Sequence, residues 1–138
     1  MSKAIENLEA ALKRAMASRP QVGGFPYFAE TLRRAGVTHN IWLLPACQSL
    51  YLTNDGPIVG QGAPLLSGMM DVPLFNHDAL IRALRTDQAG KSTFPEFLAD
   101  AWRSGVVRYE VDLVSRSVAY FGCNGENYVE SYPNVDIE

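Results

Sequence analysis

The chain has 138 residues, 47% of them hydrophobic and 20% charged, with a formal net charge of −3. That balance belongs to one soluble globular domain, residues 1–138, able to bury about two-thirds of its unfolded surface without staples. It excludes a disordered chain, and with no stripe of Lys and Arg to neutralise phosphates it argues against nucleic acid as a partner.

In chain order, residues 3–18 carry a helical stripe of Ile5, Leu8, Leu12, Ala15 and Met16, closed by Arg19-Pro20. A second helix follows Phe25-Pro26-Tyr27-Phe28 and ends at Gly36, with Gly24 where a capping side chain would stand. Strands are expected at 38–44, at 49–53 and, briefly, at Ile58-Val59, with a turn at Asn54-Asp55-Gly56. The segment 65–75, rich in Gly, Pro and large apolar side chains, reads as an ordered crossover rather than a flexible linker. A third helix runs from an Asn76 cap to a Gly90 stop. The fourth opens on the capping box Thr93-Phe94-Pro95-Glu96, buries Phe97, Leu98, Ala101 and Trp102, and ends at Gly105. Strands are then expected at 107–113, 117–121 and 126–132, with an Asn124-Gly125 hairpin signal before the last.

This order is one unit written twice. At an ungapped offset of 69 positions, Phe25-Pro26 and Phe28 fall on Phe94-Pro95 and Phe97, and Arg34 on Arg103. Gly36-Val37 fall on Gly105-Val106, Tyr51 on Tyr120, Gly56 on Gly125 and Pro64 on Pro133. The expected fold class is therefore α+β, an internal duplication of a helix–helix–three-stranded-meander unit. Half-unit 1 covers residues 3–64, the crossover 65–75 and half-unit 2 residues 76–138, with an approximate twofold relation between the halves.

The copies differ at their first strands. Glu110 and Asp112 give the second copy a wet face, whereas Ile41 and Leu43 make the first copy's strand apolar on both sides. Either the 65–75 crossover covers that second apolar face or a partner does. A homodimer through Ile41 and Leu43, or through the Leu65–Phe75 segment, is the expectation.

Two cysteines are too few for a disulfide framework, and Cys47 and Cys123 occupy non-equivalent places in the copies, Cys47 aligning with Arg116. The start Met1-Ser2-Lys3-Ala4-Ile5-Glu6 lacks the apolar core of a signal peptide, and no apolar run reaches membrane-spanning length, so a cytoplasmic protein without a membrane partner is expected. Cys47, in Pro45-Ala46-Cys47-Gln48-Ser49, is the one candidate nucleophile. His39 and His77, the two imidazoles, have no neighbouring sequence that marks a base, and a small thiol in a tight turn is the simpler reading. Scattered Cys and His lack metal-ligand spacing, so neither metal nor cofactor is expected. Gly60-Gln61-Gly62-Ala63-Pro64 has no lysine and reads as a turn, not a phosphate cradle. Tyr109, Tyr120 and Tyr128 read as cross-strand packing or, failing that, as an aromatic pocket for a small ligand.

Several strings resemble those of one bacterial family, the domain of unknown function 1398, some members of which are labelled "phage envelope protein". They are Leu44-Pro45-Ala46-Cys47-Gln48-Ser49, Gly60-Gln61-Gly62-Ala63-Pro64-Leu65, Ser92-Thr93-Phe94-Pro95-Glu96-Phe97, Gly105-Val106-Val107-Arg108-Tyr109-Glu110-Val111-Asp112 and Tyr128-Val129-Glu130-Ser131-Tyr132-Pro133. The resemblance runs from about residue 25 onward and implies no activity, substrate or catalytic residue. A non-catalytic binding or interaction module is therefore the leading expectation. The alternatives are a small enzyme using Cys47 or an aromatic and Arg pocket, and a phage-derived accessory protein.

Overall fold

The computed structural model describes residues 2–137. Helices α1 (Lys3–Ser18) and α2 (Phe25–Arg34) precede strands β1 (Val37–Leu43), β2 (Gln48–Thr53) and β3 (Gly56–Gln61). After the crossover come α3 (His77–Gln88), α4 (Phe94–Arg103), β4 (Val106–Asp112), β5 (Ser117–Gly122) and β6 (Asn127–Ser131). The fold is α+β, as expected, and the two meanders merge into one antiparallel sheet of order β3-β2-β1-β4-β5-β6.

Local chemistry sets the helix ends. The Thr93 hydroxyl accepts from the Glu96 amide while the Glu96 carboxylate accepts from the Thr93 amide, so the box caps α4 reciprocally. Asn76 caps α3 through the Ala79 amide, and Ser2, which the sequence reading passed over, caps α1 through the Ile5 amide. Gly24 leaves α2 with no side-chain cap.

The hairpins repeat at the 69-residue offset. Ile41 faces Leu50 and Glu110 faces Ala119, and each hairpin has one irregularity, between Val37 and His39 or between Val106 and Arg108. The central β1/β4 pairing sets Ile41 against Glu110, two residues 69 apart, so any dyad relating the halves would pass between them. Leu44 and Leu113, a further match at this offset, are both fully buried.

The ungapped correspondence ends at the last hairpin. Thr53 faces Gly56 across the two-residue turn Asn54-Asp55, but the Gly122 amide reaches the Glu126 carbonyl across three residues, with Gly125 at φ +87°. A three-residue hairpin loop with glycine in the left-handed region carries one residue more than its two-residue counterpart. Tyr51 thus faces Ile58 while Tyr120 faces Tyr128. Gly56 with Gly125 and Pro64 with Pro133 are matches of sequence, not of position in the sheet.

Strand alternation sorts the sheet into two faces. One carries Trp42, Ser49, Tyr51, Ile58, Tyr109, Val111, Val118 and Tyr120 toward the helices, where Leu32, Leu80, Leu84, Phe97 and Leu98 complete the core. The other carries the cross-strand row Val59, Leu50, Ile41, Glu110, Ala119 and Val129, flanked by Leu43 and Leu52. Among the described residues none on that outer face is buried, and Leu43, Leu50, Leu52 and Val59 are exposed.

The crossover does not cover the face. It runs on the helix side, where Leu65, Leu66 and Phe75 pack on the core and the Leu65 amide donates to the Pro45 carbonyl. The internal cover entertained for Ile41 and Leu43 is therefore corrected. The chain reaches Asn76 by passing Gly105 on the core side, which leaves Met69, Met70 and Leu74 in solvent.

Candidate functional site

Cys47 sits in the β1–β2 turn at φ +50°, and Arg116, its match at the 69-residue offset, sits in the β4–β5 turn at φ +59°. The same left-handed conformation in both hairpins makes it a property of the turn rather than strain particular to a nucleophile. The thiol is buried, donates to the Leu44 carbonyl at 3.5 Å, and burial pushes its pKa up. That setting favours the thiol over the reactive thiolate. The imidazoles are engaged elsewhere: His39 lies 3.7 Å from Asp112, and His77 meets the Tyr128 ring edge-on at 5.2 Å.

The three tyrosines come together as a filled ladder. Tyr120 lies 5.9 Å from Tyr109 and 6.4 Å from Tyr128, and the ladder continues to Trp42, stacked on Tyr109 at 6.2 Å, and to Phe94 against Trp42 at 5.2 Å. Burial raises the phenol pKa of Tyr109 and of Tyr120. The Tyr128 hydroxyl donates to Glu130 at 2.7 Å, and Glu130 also accepts from Arg85 at 2.7 Å and from Gln88 at 2.8 Å. Burial works to raise the Glu130 pKa, but these bonds outweigh it and the net shift is downward. Every carboxylate oxygen of Glu130 is engaged, so this Tyr and Arg cluster is a closed structural network.

The open space lies on the other half. A cavity of about 310 Å³ separates α1 from the first meander, lined by Ile5, Leu8 and Leu12 on one side and by Trp42, Cys47, Ser49, Tyr51, Ile58 and Gly60 on the other. Its volume is at the lower end of small-molecule sites, roughly 300–1,000 Å³. Ser49 is buried, and burial raises the Tyr51 phenol. Trp42 holds the one polar side-chain atom buried without a hydrogen-bond partner among the described residues, its indole Nε1. An unpaired buried donor costs about 1–3 kcal/mol. A second cleft, of about 260 Å³, lies between α3 and α4 and is lined by Arg82, Thr86, Asp100 and Arg103. Neither cleft is lined by Tyr109, Tyr120 or Tyr128.

The cavity was missed from sequence because its signal is a comparison between the copies that the inserted residue hides. Counted without a gap, Ile58 and Gly60 fall on Asn127 and Val129. Counted through the sheet, they correspond to Tyr128 and Glu130, since Ser49 faces Gly60 where Val118 faces Glu130. An isoleucine and a glycine stand in the first copy where a phenol and a carboxylate stand in the second.

One charged cluster shapes α2. The buried Glu30 carboxylate accepts from Arg33 at 2.7 and 2.6 Å and from Arg34 at 2.9 Å, and Arg34 also holds the Ile137 carbonyl. Hydrogen bonding from Arg33, opposed by burial and helped by Arg34, brings the Glu30 carboxyl from 4.5 down to about 2. A lowered folded-state pKa gives stability that is complete above the unfolded value of 4.5 and lost as pH falls through about 2. With the guanidiniums half-exposed, water screens the pair, and the contribution is about 1–2 kcal/mol. Between about pH 5 and pH 2, urea titrations should show the wild type losing that much more stability than Glu30→Gln. Parallel losses in the two proteins would refute the assignment.

Among the described residues no helix is long and apolar enough to cross a membrane, and no three His, Cys, Asp or Glu side chains converge to hold a metal ion. A family model described as a protein of unknown function, DUF1398, matches residues 13–131. The chain belongs to that family. The DUF1398 match starts inside α1 and ends with β6, so it takes in both halves, the shared sheet and the meander wall of the cavity. Two relatives of this DUF1398 chain, uncharacterised proteins of Mycobacterium tuberculosis and Mycobacterium bovis, are each 54% identical to it over 136 residues. The alignment covers 99% of this chain and 83% of each relative.

Proposed function

We propose that this DUF1398 protein is a non-catalytic interaction module that acts as a homodimer, with the outer face of its sheet as the contact between copies. The observation that carries this reading is the cross-strand row Val59, Leu50 and Ile41, flanked by Leu43 and Leu52, on a face where none of the described residues is buried. A contiguous apolar patch on an open sheet is unusual for a lone soluble chain. Its chemistry favours a second copy as the occupant. On the β1–β3 half the face carries no formal charge, so a strongly charged partner gains little there. On β4, Arg108, Glu110 and Asp112 place both signs at the patch border, where a copy turned about a twofold axis sets unlike charges across from each other. The exposed Met69, Met70 and Leu74 of the crossover offer a second apolar contact.

The raised Cys47 thiol and the saturated Glu130 cluster support a role without chemistry. Both cysteines are free, Cys123 exposed and Cys47 buried, which fits a reducing, cytoplasmic setting. Sedimentation velocity at tens of micromolar tests the proposal. The wild type should run as a dimer and an Ile41→Glu, Leu43→Asp variant as a folded monomer. A wild type that sediments as a monomer would end it.

A further inference from the structure

We infer that Asn124, in the Cys123-Asn124-Gly125 loop between β5 and β6, is a site of self-modification, converted to aspartate and isoaspartate by closure of a ring with the chain itself. The chemistry needs an asparagine whose following amide nitrogen is unhindered and free to move. That nitrogen, on Gly125, loses its proton to hydroxide and attacks the Asn124 side-chain carbon, Cγ. The new N–Cγ bond closes a succinimide ring, the bond from Cγ to the side-chain nitrogen breaks, and ammonia leaves carrying the returned proton. Water then opens the ring. Cleavage of the new bond leaves aspartate in an ordinary chain. Cleavage of the original peptide bond leaves isoaspartate, with the main chain rerouted through Cγ. Either way one amide and one water become one carboxylic acid and one ammonia.

Three observations place that chemistry here. The first is steric. Every other asparagine precedes a residue whose Cβ crowds the attacking nitrogen, and Asn124 alone precedes glycine. A Cβ built on Gly125 meets nothing within 4 Å, and both residues are exposed, so the ring has room to close. The second is freedom from hydrogen bonds. The loop is held by the Gly122 amide on the Glu126 carbonyl at 2.8 Å and by the Asn124 amide on the Glu126 carboxylate at 2.9 Å. Among the described residues, neither the Asn124 side chain nor the Gly125 amide takes part in a hydrogen bond. Asn7 and Asn40, by contrast, donate from their side chains to the Ala35 and Leu50 carbonyls, and Asn76 caps α3. The third is the other half of the molecule. At the 69-residue offset Asp55-Gly56 falls on Asn124-Gly125, and there the tighter turn engages the same groups. The Asp55 carboxylate accepts from Asn7 at 3.3 Å, the Asp55 amide donates to the Thr53 hydroxyl at 3.1 Å, and that hydroxyl donates to the Gly56 carbonyl at 2.7 Å. The extra residue of the second hairpin is what frees Asn124 and Gly125 from such contacts. Neither belongs to the apolar row of the proposed dimer face, so either idea can fail without the other.

The test incubates the full folded chain in warm, mildly alkaline buffer and follows the tryptic peptide that starts at Ser117 by mass spectrometry. Conversion adds about 1 Da, the difference between a side-chain amide and an acid. Fragmentation by electron transfer locates the change and separates isoaspartate from aspartate. Asn124 should convert within about tenfold of its rate in the same chain unfolded in guanidinium chloride, a gap of at most about 1.4 kcal/mol in barrier. Asn127 and Asn134, which lie in the same peptide, should convert at least about tenfold more slowly than Asn124. Both products should appear, because the ring opens in two ways. Gly125→Ala, which restores the crowding Cβ, should slow conversion at least about tenfold. Should that variant lose the hairpin, since Gly125 stands at φ +87°, Asn124→Gln keeps the glycine and should gain no mass at position 124. Conversion of the folded chain more than about tenfold slower than the unfolded one overturns the inference, because the loop then shields the site. So does aspartate without isoaspartate, a faster change at Asn127 or Asn134, an unchanged rate in folded Gly125→Ala, or a mass gain that persists at position 124 in Asn124→Gln.

Discussion

Replacing Gly105 with alanine should destabilise the protein by about 3–5 kcal/mol. Two costs combine there. Gly105 ends α4 at φ +88°, in the left-handed region, where a side chain costs about 1–2 kcal/mol. A Cβ built at that point also comes within 2.5 Å of the Phe75 Cα and 2.6 Å of its amide nitrogen, and that backbone cannot swing aside as a side-chain tip could. Phe75 directly precedes the Asn76 cap of α3, whose amide donates to the Ser104 carbonyl at 2.8 Å, so displacing it disturbs the start of the third helix as well. The control is built into the duplication. Gly36, the matched residue, has φ +97°, but its added Cβ meets only the Asn54 side chain, at 3.2 Å. Gly36→Ala should therefore cost about 1–2 kcal/mol, for backbone strain alone. Urea denaturation of both variants beside the wild type measures the difference, and equal losses would show that the crossover does not press on Gly105.

Neighbouring leucines should respond in opposite ways. Leu44 is fully buried, with its amide bonded to the Val107 carbonyl at 3.0 Å. Leu44→Ala leaves a cavity at the centre of the core and should cost about 2–5 kcal/mol without touching the outer face. Leu43, one residue earlier, points the other way and is 41% exposed. In the monomer Leu43→Asp should change stability by only about 0.5 kcal/mol, as surface substitutions do. In the proposed dimer it would bury a carboxylate between two apolar sheets and should raise the dissociation constant at least about a hundredfold. Thermal unfolding at low protein concentration reads the first effect and sedimentation at high concentration the second. If Leu43→Asp unfolds the monomer as Leu44→Ala does, the outer face is part of the folding core and not an interface.

Much of the fold was legible because its signals are local. Thr93 and Glu96 cap α4 by a reciprocal pattern written in four residues, and Gly36 and Gly105 end their helices because glycine enters the left-handed region without a Cβ penalty. The 69-residue repeat was equally visible, since its matches fall at turns, caps and core positions that each half needs for itself. The site was not legible. Cys47, the most conspicuous reactive residue in the sequence, proves to hold a turn conformation shared with Arg116, and the tyrosines of the second copy fill their own space. Trp42, Ser49, Tyr51 and Gly60 carry no motif. They form a cavity only because β1, β2 and β3 lie side by side beneath α1.

The amino-acid sequence by itself determined the helices, the meanders and their duplication, because capping, strand alternation and glycine stops act over a few residues. Only the tertiary structure decided which face of the sheet is covered, where the crossover runs, and that the last hairpin of the second half is one residue out of step. Each of those depends on contacts between segments far apart in the chain: Phe75 against Gly105, Ile41 against Glu110, Gly122 against Glu126 across an extra turn residue. Side-chain direction alternates at every residue of a strand, so the single insertion at Gly125 reversed the correspondence of the third strands and put Tyr128, not Asn127, opposite Tyr120.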